Sequence, residues 1–135
     1  MNDSGPTHSG SIGICQQFLR SINLEKDYQN NRDGSYIVTP TSRHILRRVC
    51  EGLSNGSTYR AWTITGPYGV GKSAFAVFLT KILATTVPGA GPAWACLKNA
   101  DPRLAADLLE KIGGNKGMLP LPITARRAPA SLCLK

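Results

Sequence analysis

Four stretches of the chain repeat their apolar residues at intervals of three and four, the spacing that gathers side chains on one side of an α-helix. The first runs from Ser11 to about Ile22, with Ile14, Phe18, Leu19 and Ile22 in phase. A second opens at Thr39 and Pro40, a capping hydroxyl followed by a residue suited to the first helical position, and carries Leu46, Val49, Cys50 and Leu53. It should end near Asn55 and Gly56, with Arg47 and Glu51 one turn apart on its outer side. The third has Phe75, Phe78, Leu79 and Ile82, runs to about Ala84 and leaves Lys81 off the stripe. The fourth begins at Asp101 and Pro102, carries Leu104, Ala105, Leu108, Leu109 and Ile112, and stops at Gly113 and Gly114.

Three other stretches read as strands. Residues 59–65, YRAWTIT, alternate Trp62 and Ile64 with Ala61 and Thr63 and are rich in aromatic and β-branched types, so they predict a buried strand. AWACL at 93–97 is a short second candidate. MLPLPIT at 118–124 has similar apolar content, but Pro120 and Pro122 each remove a backbone donor and restrict it to an edge strand or an extended tail. Between these elements lie a polar leader over 1–10, a polar stretch closing in a turn at Asp33 and Gly34, and a Gly- and Pro-rich loop over 87–92. The organisation expected is a leader over 1–10, a helical segment over 11–58 and a phosphate-loop core over 59–135.

Between the expected strand at 59–65 and the third helix stand Gly66, Pro67, Tyr68, Gly69, Val70, Gly71, Lys72 and Ser73, which fill every fixed position of GxxxxGK[ST]. Glycines let the backbone turn tightly and bring its N–H groups close to a polyphosphate. The Lys72 ammonium is then placed to act catalytically on the β and γ phosphates, Ser73 supplies a hydroxyl to Mg²⁺, and Ala74 follows in the first helical turn, whose free N–H groups attract anions. These residues predict an ATP and Mg²⁺ site.

The 135 residues carry sixteen Lys and Arg against eight Asp and Glu, a net charge of +8. This basic excess suits nucleic acid or a phosphate site equally. Arg43, Arg47 and Arg48 form one group and Arg126 with Arg127 another, neither interleaved with the aromatic residues that stack on bases, so solvated faces are expected. Cys15, Cys50, Cys96 and Cys133 show no metal-ligand spacing, and His44 has no partner at such a spacing and reads as a surface or satisfied histidine. No signal-peptide core or membrane span is visible, which points to a reduced, cytoplasmic setting without membrane.

The segment from Tyr36 to Ala84, YIVTPTSRHILRRVCEGL followed by RAWTITGPYGVGKSAFAVFLTKILA, resembles the opening of AAA+ and STAND-type ATPases, among them origin-recognition-like and large bacterial ATP-binding proteins. The resemblance implies an α/β fold, a P-loop NTPase core with a partial parallel sheet flanked by helices. It also implies that Tyr36, Ile37 and Val38 lie beside the adenine. DNA, reached through a parent assembly, and further copies of the chain are the partners such a family suggests.

Hydrolysis requires more than the loop, usually an acidic residue at the end of an apolar strand and often an arginine finger. After Ser73 the acidic residues are Asp101, Asp107 and Glu110, all on or at the start of one expected helix. The chain therefore reads as the front of a longer ATPase, ending before its acidic strand. Three functions follow: the ATP-binding module of an AAA+-like ATPase, a nucleotide-dependent switch with little turnover, or a basic nucleic-acid-binding adaptor.

Overall fold

Thr39 and Asp101 each stand directly before a proline, and both start a helix as their spacing predicts. A computed structural model of the chain describes residues 22–28, 36–54, 56–84, 90–113 and 117–123. Within them lie five helices, α1 (Leu24–Asp27), α2 (Pro40–Gly52), α3 (Lys72–Leu83), α4 (Ala90–Ala100) and α5 (Pro102–Lys111). The leader, the expected first helix through residue 21, Cys15, Cys133, Arg126 and Arg127 lie outside the described residues.

Capping is explicit at three helices. The Ser42 amide donates to Thr39 Oγ1 at 3.1 Å to start α2, and the Leu104 amide donates to Asp101 Oδ1 at 3.1 Å to start α5. The single turn of α1, in a stretch expected to be a polar connection, is capped by Asn23, whose side chain accepts from the Lys26 amide at 3.2 Å.

The helices pack in a row in which α3 touches α4, α4 touches α5 and α5 touches α2, with α1 against α3. Leu46 and Cys50 of α2, Phe75, Phe78 and Ile82 of α3, Leu97 of α4, and Leu104 and Leu108 of α5 meet in one buried cluster. Helices α2 to α5 each contribute an apolar stripe, so the cluster removes the largest aliphatic and aromatic groups from water, at roughly 1.5–3 kcal/mol for each fully buried side chain. Two positions depart from the expected stripes. Lys81 is buried at 5% exposure, whereas Leu109 is 37% exposed. Arg47 does not turn to Glu51 on its own helix. It reaches α5, where Nη2 donates to Asp101 Oδ2 at 2.8 Å.

The expected α/β core with its partial parallel sheet is corrected here: among the described residues there is no strand. Residues 93–97 belong to α4, because Ala90, Ala93 and Leu97 bury on one side of a continuous helix and alanine is the strongest helix former. Residues 118–123 keep their two prolines and enter no ladder; their tie to the bundle is the Met118 amide donating to Leu83 O at 2.8 Å. With neither neighbour available as a strand, 59–65 has no ladder to join and is exposed throughout. The segment is nonetheless seated at one end. Gly52 lies so close beneath Trp62 and the Tyr59 carbonyl that a Cβ at that position would collide with both.

Burial at Leu97 is complete and at Leu109 it is not, so Leu97→Ala should lower unfolding free energy by about 2–5 kcal/mol and Leu109→Ala by under about 1 kcal/mol. Urea denaturation of the two variants measures this difference. Asp101 adds a pH dependence. The bond from the Leu104 amide, then the Arg47 guanidinium, hold its carboxyl below the usual carboxylate range against the opposing effect of partial burial. A depressed carboxyl stabilises the fold above the ordinary carboxyl pKa of about 4, and that stabilisation is lost as pH falls through the folded value. Asp101→Asn keeps a cap acceptor but cannot titrate. It should be less stable than the parent near neutral pH, and the difference should shrink as pH falls through the folded value of the Asp101 carboxyl.

Candidate phosphate-loop site

The loop is built on the first turn of α3, whose position is set by Phe75, Phe78 and Ile82 in the core. The Phe75 amide donates to Gly71 O at 2.9 Å, closing the first turn. Gly71 itself has φ 83° and ψ 18°, and Gly69 has φ 85°, left-handed conformations that a side chain disfavours by roughly 1–2 kcal/mol. That geometry turns the chain sharply into the helix. It also leaves the N-terminus of α3 without a side-chain cap, and no acidic residue stands in its first turn.

Lys72 is the first residue of α3, and its side chain folds back over the loop. Nζ donates to Gly66 O at 2.8 Å and to Pro67 O at 2.6 Å. The ammonium thus fastens the start of the loop to its end. Gly66 has Lys72 beneath it as well as Val70, whose Cγ2 would stand 3.3 Å from an added Cβ. Around this closure Tyr68 is 97% exposed, Val70 and Ser73 are exposed, and Lys72 and Ala74 are half-buried. The donors carried by this stretch are the Lys72 ammonium, the uncapped first-turn amides of α3 and the Ser73 hydroxyl. A donor set of this kind matches a polyanion.

Tyr36, Ile37 and Val38 divide between the core and the surface. The Tyr36 ring stacks on Phe78 at 4.3 Å between centroids and 18° between planes, and tilts against Phe75 at 6.2 Å. Burial pushes its phenol above the ordinary value, partly offset by a hydrogen bond with Ser42. Val38 packs against the same cluster, while Ile37 is exposed. The segment therefore flanks α3 at Phe75, two residues beyond Ser73, with Ile37 as the member turned outward.

Of the acidic residues after Ser73, Asp101 is engaged elsewhere. Asp101 serves α5 and Arg47, while Asp107 and Glu110 are exposed on α5; burial raises the pKa of the neighbouring Cys50 thiol, Lys111 opposes it, and the charges of Asp107, Glu51 and Glu110 add to it. Among the described residues no three His, Cys, Asp or Glu side chains gather as a metal site. Magnesium would thus be held by the Ser73 hydroxyl, phosphate oxygens and water, a division the ion accepts because it dehydrates reluctantly. His44 is exposed, and no helix among the described residues is long and apolar enough to cross a membrane. The ammonium closure at Gly66 and Pro67 carbonyls is the feature that residue types alone did not reveal, since both acceptors are backbone atoms.

Gly71→Ala should destabilise the fold by about 1–2 kcal/mol, because alanine resists the left-handed conformation at the start of α3. Gly91→Ala, on α4 with open space for a Cβ, should be neutral or stabilising by up to about 1 kcal/mol. Thermal and urea unfolding of the pair separate loop strain from a general effect of added methyl groups.

No family model matches the chain, and comparison with curated proteins and with solved structures likewise returns no match.

Proposed function

We propose that the chain binds ATP with Mg²⁺ through residues 66–73, with little turnover of its own. The observation that carries this reading is the Lys72 side chain folded back onto Gly66 O and Pro67 O, at the first turn of a helix that has neither a cap nor an acidic neighbour. A lysine in that position keeps its charge at the mouth of the loop and in reach of phosphate oxygens, and the loop does not have to be rebuilt for binding. The match of residues 66–73 to GxxxxGK[ST], with α3 starting at Lys72, supports the reading from the helix side of the motif. In it, Lys72 contacts the β and γ phosphates, the amides of the first turn of α3, including those of Ser73 and Ala74, face the phosphate chain, and Ser73 takes one position on Mg²⁺. Tyr36, Ile37 and Val38 are assigned to the base side, with the exposed Ile37 the member best able to meet the base.

Binding with slow turnover is favoured over an active ATPase by the place of the acidic residues after Ser73, since Asp101, Asp107 and Glu110 all stand at the start of or within α5. Phosphoryl transfer to water needs a group that orients the attacking water and a charge that stabilises the departing phosphate. Asp101 is committed to capping and to Arg47. A nucleotide-dependent switch is the role this balance suits best.

Titration with a fluorescent ATP analogue in excess Mg²⁺ should give saturable binding that Lys72→Ala weakens by on the order of 10- to 150-fold, the equivalent of losing a charge-assisted contact of about 1.5–3 kcal/mol. Equal affinity in wild type and variant, at equal folded fraction, would refute the role of Lys72. Phosphate release under saturating MgATP should stay well below about 1 s⁻¹, the lower end of ordinary enzyme rates. Turnover at or above that rate, abolished by Lys72→Ala, would contradict the switch reading.

A further inference from the structure

We propose that the chain forms a two-fold symmetric dimer in which residues 59–65 pair antiparallel with the same segment of a second copy and the apolar groove beside them is covered. Residues 59–65 have the alternation and the β-branched and aromatic content of a strand, yet all seven are exposed. No backbone–backbone hydrogen bond between described residues involves them. The Tyr59 amide donates to Ser57 Oγ at 3.2 Å, and the apolar segment beyond it, with no backbone–backbone partner among the described residues, is a template for another strand.

The surface continues beyond that segment. Ile64 shares a groove of about 370 Å³ with Leu79 and Leu83 of α3 and with Met118, Leu121 and Ile123. Leu119, Leu121 and Ile123 are 94%, 78% and 75% exposed, and Tyr59, Trp62, Ile64 and Met118 are exposed as well. Of these, Ile64, Met118, Leu119, Leu121 and Ile123 line the one groove, and at their exposures they present on the order of 600 Å², before any main-chain contact of 59–65 is added, toward the roughly 800 Å² that one partner contributes to an interface of standard size.

The charge pattern favours a second copy as the occupant. A chain of net charge +8 repels itself, but Arg60 is the one charged side chain in 59–65 and there is none in 117–123. In an antiparallel pair centred on Trp62, each Arg60 stands opposite Ile64 of the other copy, Tyr59 opposite Thr65, and Trp62 opposite Trp62. The two guanidinium groups are kept apart, and the centre is an aromatic pair, which stabilises cross-strand contacts. Such a two-fold contact closes on itself, so the assembly stops at two copies.

Sedimentation of the wild-type chain from about 1 to 100 µM tests this, because an interface of standard size should reveal a monomer–dimer equilibrium within that range. Ile64→Lys and Leu121→Lys, each checked for native helicity, should weaken association at least tenfold. Hydrogen exchange on the wild type provides a readout that needs no variant: amides within 60–65 should gain protection as concentration rises. A chain that stays monomeric at 100 µM, grows into open-ended polymers, or dimerises without protecting 60–65 overturns the proposal. So do folded lysine variants that associate as tightly as the parent.

Discussion

Phe75, Phe78 and Ile82 lie on one side of α3, and their burial governs where that helix begins as well as what it touches. Phe78 carries the stacked ring of Tyr36, and the helix they share lies against α4, with α5 and α2 completing the row. A helix held in this way cannot shift along its axis without pulling aromatic groups out of a close-packed interior. Its first residue, Lys72, is consequently fixed at the surface. The loop that precedes it closes on that lysine, so the phosphate-loop geometry depends on a hydrophobic constraint two turns away.

Helices α2, α3 and α5 are legible because their signals are local, whereas α1 and α4 fall where a polar connection and a loop with a strand are expected. Thr39–Pro40 and Asp101–Pro102 state where α2 and α5 start through hydrogen bonds spanning three residues, and the stripes state which side is buried. The strands were not legible for the converse reason. A strand exists only with a partner, and 59–65 was read from its own residues while its candidate neighbours went elsewhere. AWACL is too short to separate the two periods, and the alanines on either side carry it into α4. The AAA+ likeness of residues 36–84 reinforced the expectation of a sheet that the described residues do not contain. Smaller misreadings follow the same pattern: Arg47 has a suitable Glu51 one turn away, yet pairs with Asp101 on another helix, and no local rule anticipates that choice.

In the candidate site, residue types were legible and their arrangement was not. Glycine at 69 and 71 announced unusual backbone conformations, and both glycines have positive φ. The contact of the Lys72 ammonium with two loop carbonyls joins a side chain to main-chain atoms that every sequence possesses. Tyr36 was read through the family likeness as a neighbour of the base, whereas its ring is largely occupied by Phe78 and Phe75. The segment's role in packing and its assignment to the base side fall on different residues, with Tyr36 and Val38 inward and Ile37 outward.

Phosphate recognition by the closed loop is the claim on which the functional reading rests, and backbone amide spectra report on it directly. On titration of isotopically labelled protein with MgATP, the account predicts saturable shifts concentrated at Gly69, Gly71, Lys72 and Ser73, reproduced by magnesium triphosphate without a nucleoside, while amides of α5 stay in place. Absent shifts, or shifts spread over the arginine-bearing face of α2 with the loop unaffected, would contradict it.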